Sequence, residues 1–125
     1  MIPFCLILEP VPLVARDLAT TARENLGFEP LIAATEAEAL RLLANMDASA
    51  RLQLAFVNGT ASNFASSALR PLLEMREANV VLLGTDAGEG GSGSAWPSLA
   101  SPFSTQQVLS LVCSLERLAR KPTAC

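Results

Sequence analysis

Residues 4–12 read FCLILEPVP. Five apolar residues run unbroken to Glu9, and prolines follow at positions 10 and 12. An apolar run of that length is the pattern of a strand covered on both faces. Pro12 suits the first turn of a helix, where its missing N–H forfeits no hydrogen bond. Val14, Ala15, Leu18, Ala22 and Leu26 then fall on one helical face, and Gly27 is placed to end the helix in a left-handed conformation. The stretch predicts a buried strand passing straight into a helix, the start of a βα unit.

The same unit recurs down the chain. Residues 29–34 (EPLIAA) predict a weaker second strand. Thr35-Glu36-Ala37-Glu38 has the spacing of a capping box, hydroxyl first and carboxylate three later. The helix it opens runs to about residue 46, with Ala39, Leu40, Leu43 and Met46 inward. Residues 52–57 predict a third strand, which stops at Asn58-Gly59 within LAFVNGT (54–60). Residues 62–67 are small and polar. A helix to about residue 77 follows, burying Leu69, Leu72, Leu73 and Met75. Pro71 is tolerated only in its first turn, so the helix must start near Ser67. VVLL (80–83) predicts a fourth strand, and Leu99-Ala100 a short fifth. Ser104 caps a last helix with Val108, Leu111, Val112, Leu115 and Leu118 on one face.

Residues 85–98, TDAGEGGSGSAWPS, have no helical period and read as a flexible loop. Each glycine costs about 1 kcal/mol relative to alanine in a helix, so no helix is expected between strands four and five.

Composition removes several function classes. The 125 residues suit one domain, expected over 1–121 with a short tail at 122–125. Half the residues are hydrophobic, and the mean hydropathy of +0.37 supplies a core. Net charge is −3 with no basic patch, which argues against nucleic acid. There is no histidine, which removes His-based triads, His metal ligands and phosphohistidine chemistry. Cys5, Cys113 and Cys125 are too scattered for a disulfide framework or a zinc site, and no metal ligand set is visible. Reduced thiols fit a cytoplasmic protein. No run reaches the roughly 18 apolar residues of a membrane span.

Alternating strands and helices predict an α/β fold: a five-stranded parallel sheet with helices on both faces. Sites in such sheets lie beyond the C-terminal strand ends. Those ends are Glu9-Pro10, Asn58-Gly59, Gly84-Thr85 and Ser101-Pro102.

With the segment LILEPVPLVARDLATTAREN followed by LGFEP and TEAEALRLL, the sequence resembles a CheY-like receiver domain of two-component response regulators. The resemblance covers essentially the whole chain. It implies a flavodoxin-like three-layer sandwich, here with the usual fourth helix replaced by the Gly/Ser-rich loop. It also implies a phosphoryl-transfer site. An acidic pair after strand one helps hold Mg²⁺, an aspartate after strand three takes the phosphoryl group, and a hydroxyl and a lysine read it.

On that pattern the parts are degenerate. Glu9 keeps one acid and Pro10 replaces the other. Asn58 stands at the phosphoacceptor position. Gly84 takes the hydroxyl position, with Thr85 beside it. Ser101, before Pro102, takes the lysine position. The single lysine, Lys121, lies beyond a helix of roughly 17 residues, about 25 Å from the strand-five end. An amide is a poor nucleophile and a weak Mg²⁺ ligand.

The expectation is therefore a stand-alone pseudo-receiver of phosphorelay signalling. It is not an enzyme, has no cofactor and has lost or weakened Mg²⁺ binding. It would act by binding a protein such as a histidine kinase or another regulator. Trp96 would cover the gap left by the missing helix or anchor a partner. Leu109 and Cys113 widen the apolar stripe of the last helix and suggest a homodimer. One alternative is phosphorylation at an atypical residue such as Thr60, Thr85 or Asp86. Another is a ligand-binding or enzymatic flavodoxin-like domain, although no Gly-rich phosphate loop joins a strand to a helix. Whether Ser101-Pro102 is cis stays open.

Overall fold

β1 (Phe4–Leu8) is buried along nearly its whole length. It lies between two other strands and under helices on both faces, as its unbroken apolar run requires. In the computed structural model, residues 3–47, 49–59, 61–83, 98–99 and 104–119 are described. Gly84, Thr85, Trp96, Ser101, Pro102, residues 85–97 of the loop expected over 85–98, the tail and the Cys113 side chain lie outside the described residues, while Ser98, the last residue of that expected loop, is in a strand.

Pro12 is the first residue of α1 (Pro12–Thr21), as its chemistry predicts. The helix continues as a wider π-type turn over Ala22–Leu26 and stops at Gly27, whose φ is 74°. That left-handed conformation suits glycine. It lets the Phe28 N–H reach back to the Ala22 carbonyl at 2.9 Å. β2 (Glu29–Ala33) is an edge strand, half-exposed along much of its length.

α2 (Glu36–Ala44) opens on the predicted capping box. The Glu38 N–H donates to Thr35 Oγ1 at 3.2 Å, while the Glu38 carboxylate accepts from the Ala34 N–H, one residue outside the cap. Ala39 and Leu43 are buried, and Leu40 and Met46 half-buried.

β3 runs over Leu52–Asn58, one residue longer than predicted. The helical region after it differs from expectation. Residues 61–65, which overlap the 62–67 segment read as small and polar, form a short helix, α3 (Ala61–Ala65), which buries Phe64. A second helix, α4, spans Leu69–Met75 with Pro71 as its third residue. Pro71 cannot donate a backbone hydrogen bond, so it is accommodated only because a new helix starts just before it. Ser67 starts that helix, accepting from the Leu69 N–H at 3.1 Å. The same hydroxyl donates to the Glu36 carboxylate and ties α4 to α2. Met75 was expected inside but is 79% exposed, because α4 ends there and turns Leu69 and Leu73 to the core instead.

β4 (Asn79–Leu83) follows, then a two-residue β5 (Ser98–Leu99) and the long α5 (Thr105–Ala119). α5 starts on a reciprocal cap. Gln107 N–H donates to Ser104 Oγ at 3.2 Å, and Gln107 Oε1 accepts from the Ser104 N–H at 2.8 Å.

The sheet is parallel, in the order β2-β1-β3-β4-β5. Four strands are five or seven residues long, and the short fifth, expected at Leu99-Ala100, starts one residue earlier and pairs with β4 as Leu82–Ser98 and Leu83–Leu99, with Ala100 outside the described residues. Successive residues alternate between two cores. Cys5, Ile7, Leu54, Phe56, Val81 and Leu83 pack with α1 and α5 through Ala15, Leu18, Val108 and Val112. Leu6, Leu8, Ala55, Val57, Val80 and Leu82 pack with α2, α3 and α4 through Ala39, Leu43, Phe64, Leu69 and Leu73. The alternation breaks once. Phe4 aligns with Leu52 and Cys5 with Leu54, so β3 takes up an extra residue there. This bulge puts Leu52 and Leu54 on opposite faces although they are two residues apart.

Candidate functional site

β1 and β3 are neighbours at the centre of the sheet, where the strand order reverses. Open α/β sheets form a crevice at that point, beyond the carboxyl ends of the strands. The last aligned pair is Leu8 with Val57. The next residues along each strand are Glu9 and Asn58, so register alone brings them face to face.

Their side chains meet. Asn58 Nδ2 donates to Glu9 Oε1 at 3.1 Å. The second carboxylate oxygen, Oε2, accepts from the Val11 N–H at 3.1 Å. Val11 precedes α1 and has no side-chain cap of its own. Glu9 therefore caps the helix from two residues upstream, where the positive end of the helix dipole favours a negative group. Glu9 is only 5% exposed, and these two donors are what allow a carboxylate to be buried there. On the main chain, the Glu9 N–H donates to the Ala33 carbonyl of β2 and the Gly59 N–H to the Leu83 carbonyl of β4, each at 3.0 Å. The ends of four strands are thus linked across one edge.

Asn58 itself is exposed, at the open tip of an otherwise buried strand. Gly59 has φ 149°, a conformation that side-chain-bearing residues rarely adopt, so the chain turns away immediately after the amide. Pro10 is also exposed, and its ring offers no ligand atom. Of the four expected strand ends, the structure joins Glu9-Pro10 and Asn58-Gly59. The other two lie outside the described residues.

A divalent cation of the kind the resemblance implies takes several oxygen ligands, chiefly carboxylates. Among the described residues this edge offers one carboxylate, and both its oxygens already accept from N–H donors. No other group of acidic, histidine or cysteine side chains among the described residues could hold a metal. The described residues of this edge do not fit such an ion.

Sequence reasoning located both strand tips but not the bond between them, which depends on register and on the turn at Pro10. It also missed Gln107, although Ser104-Thr105-Gln106-Gln107 carries the capping-box spacing.

No protein-family model matches the chain, and no curated protein matches it. Solved structures do. The receiver domain of the PhyR response regulator from Erythrobacter litoralis superposes with a TM-score of 0.72 at 20% identity, covering 99% of this chain and 97% of that one. The chemotaxis response regulator CheY4 of Vibrio cholerae gives 0.68 at 16% identity, over 92% and 99%. A response regulator receiver protein from Sinorhizobium medicae WSM419 gives 0.70 at 18% identity, over 93% and 95%. Near-complete coverage in both directions matches the strand order and the two-sided core described above. The chain has the CheY-like fold of response regulator receiver domains.

Proposed function

We propose that this chain is a receiver-like module of two-component signalling that does not undergo aspartyl phosphorylation and works by contacting other proteins. The observation that carries this reading is the Asn58–Glu9 hydrogen bond at the β1/β3 edge. Phosphoryl transfer to a strand-three side chain needs an anionic oxygen as nucleophile and cations around the transferred group. The β3 tip offers a neutral amide, and the adjacent carboxylate is already satisfied by N–H donors.

A histidine kinase or another regulator is the partner class this reading implies, with no enzymatic turnover and no cofactor. A net charge of −3 argues against a nucleic-acid partner. Among the described residues, no helix is long and apolar enough to cross a membrane. A second copy of the chain, docked through α5 where Leu109 is half-buried, is the other contact we propose. Sedimentation of the wild type beside Leu109→Glu tests it, with a dimer lost in the variant as the expected result.

Intact mass after incubation with acetyl phosphate and Mg²⁺, beside a conventional receiver as control, tests the main reading. The expected result is no adduct on this chain and a labelled control. A stoichiometric adduct overturns it, and peptide mapping then identifies the acceptor, with Thr60, Thr85 and Asp86 the first positions to inspect.

A further inference from the structure

The fold family implies a cation at this edge, and the described residues there do not fit one. That mismatch has a specific geometric form. A cation between β1 and β3 would bind their acidic side chains to each other and screen their repulsion. Here the link is made by a hydrogen-bond donor belonging to the protein. Asn58 Nδ2 lies 3.1 Å from Glu9 Oε1, the Val11 N–H lies 3.1 Å from Oε2, and Glu9 is 5% exposed. Both carboxylate oxygens are paired, and the negative charge rests at the N-terminus of α1.

We propose that the Asn58 carboxamide takes the place of the divalent cation as partner of Glu9, so that the β1/β3 edge of this chain is held together independently of metal. Asn58 is then a positioning residue. It fixes Glu9 in the rotamer that caps α1, and with it the conformation of the 9–11 connection. This inference deepens the reading of the chain as a pseudo-receiver. It also makes a prediction that reading alone does not make. Exchanging one NH₂ for an oxygen, in Asn58→Asp, removes a donor and sets two carboxylates against each other. It restores a demand for a cation at the same point.

The test is thermal unfolding of the full chain in EDTA and in millimolar Mg²⁺, for wild type, Asn58→Asp and Asn58→Ala. The wild-type midpoint is expected to be the same in both buffers. Asn58→Asp is expected to melt about 5 °C or more lower in EDTA and to recover at least part of that loss in Mg²⁺. Asn58→Ala, with neither donor nor carboxylate, is expected to melt lower in both buffers with no response to Mg²⁺. A wild-type midpoint that rises with Mg²⁺ overturns the proposal, as does an Asn58→Asp midpoint in EDTA equal to that of the wild type. If Asn58→Asp does not fold, wild-type amide spectra titrated with Mn²⁺ decide the matter. Paramagnetic broadening centred on Glu9, Val11 and Asn58 sinks the proposal, and unbroadened signals there support it.

The two readings fail separately. A phosphoryl adduct on a chain whose stability ignores Mg²⁺ removes the functional reading and leaves this one. A Mg²⁺-stabilised wild type that takes no phosphoryl group does the reverse.

Discussion

Glu9 shows how a single residue can serve structure with atoms that its position marks for chemistry. Its carboxylate faces the crevice between the central strands, yet both oxygens accept from N–H groups of the protein. Hydrogen bonds to a charged group are worth about 1.5–3 kcal/mol each, which is enough to hold a largely buried carboxylate. Another residue is held against its preference. Glu77 has φ 57°, the one positive φ among described non-glycine residues. It ends α4 as glycine commonly does, with the Ala78 N–H returning to the Leu73 carbonyl at 3.1 Å. A left-handed conformation costs an L-residue roughly 1–2 kcal/mol, partly offset in glycine by the greater freedom of its unfolded chain. Glu77→Gly is therefore expected to stabilise the protein by about 0.5–1 kcal/mol, read as a higher urea midpoint at unchanged slope.

At the scale of elements, the sequence was most legible where local chemistry sufficed. FCLIL, Pro12, Gly27 and the Thr35–Glu38 box each carry their own instruction, and the structure follows all four. It was least legible where tertiary contacts decide. The α3/α4 break follows from Pro71, but the short α3 had only Phe64 to announce it, a lone apolar residue among small polar ones. The Glu9–Asn58 bond depends on strand register, which no single stretch encodes. The anchoring of the α2–β3 connection was likewise invisible. Arg76 reaches from the end of α4 to the carbonyls of Met46, Asp47 and Ala50, at 3.4, 3.4 and 3.2 Å. These carbonyls follow the last turn of α2, where a cation also complements the helix dipole. Arg76→Ala is expected to lower stability by about 1–3 kcal/mol, by removing donors from three carbonyls, of which those of Met46 and Ala50 are in partly buried bonds. Hydrogen exchange should report it first as lost protection over residues 45–51.

For the molecule as a whole, the two cores make Cys5 a sensor of global unfolding. It is fully buried on the central strand β1, in the core under α1 and α5, and burial pushes its thiol far above the ordinary range. In the unfolded chain it ionises near pH 8.5. Because the folded value is raised, the full contribution to stability is present below about pH 8.5. It falls as pH rises above that, since only the unfolded state then releases the proton. Urea unfolding between pH 7 and 10 should show a decline that is smaller in Cys5→Ala by up to about 1.4 kcal/mol per pH unit above 8.5.

The bond from the Gly59 N–H to the Leu83 carbonyl bears on how the protein ages. Asparagine followed by glycine deamidates when the glycine nitrogen attacks the side-chain carbonyl, expelling ammonia. Water then opens the cyclic imide to aspartate or isoaspartate. In the folded chain that nitrogen is committed to β4, and the Asn58 amide to Glu9. The reaction must wait for molecules that have opened, typically a fraction of about 10⁻³ or less. The one-dalton gain on the Asn58 peptide should therefore accumulate far faster in denaturant than in native buffer, and faster in Arg76→Ala than in wild type. Each event would also replace the donor that Glu9 needs with a second carboxylate. Deamidated molecules would open more readily than their neighbours, so fold stability and the chemical lifetime of one amide would decline together.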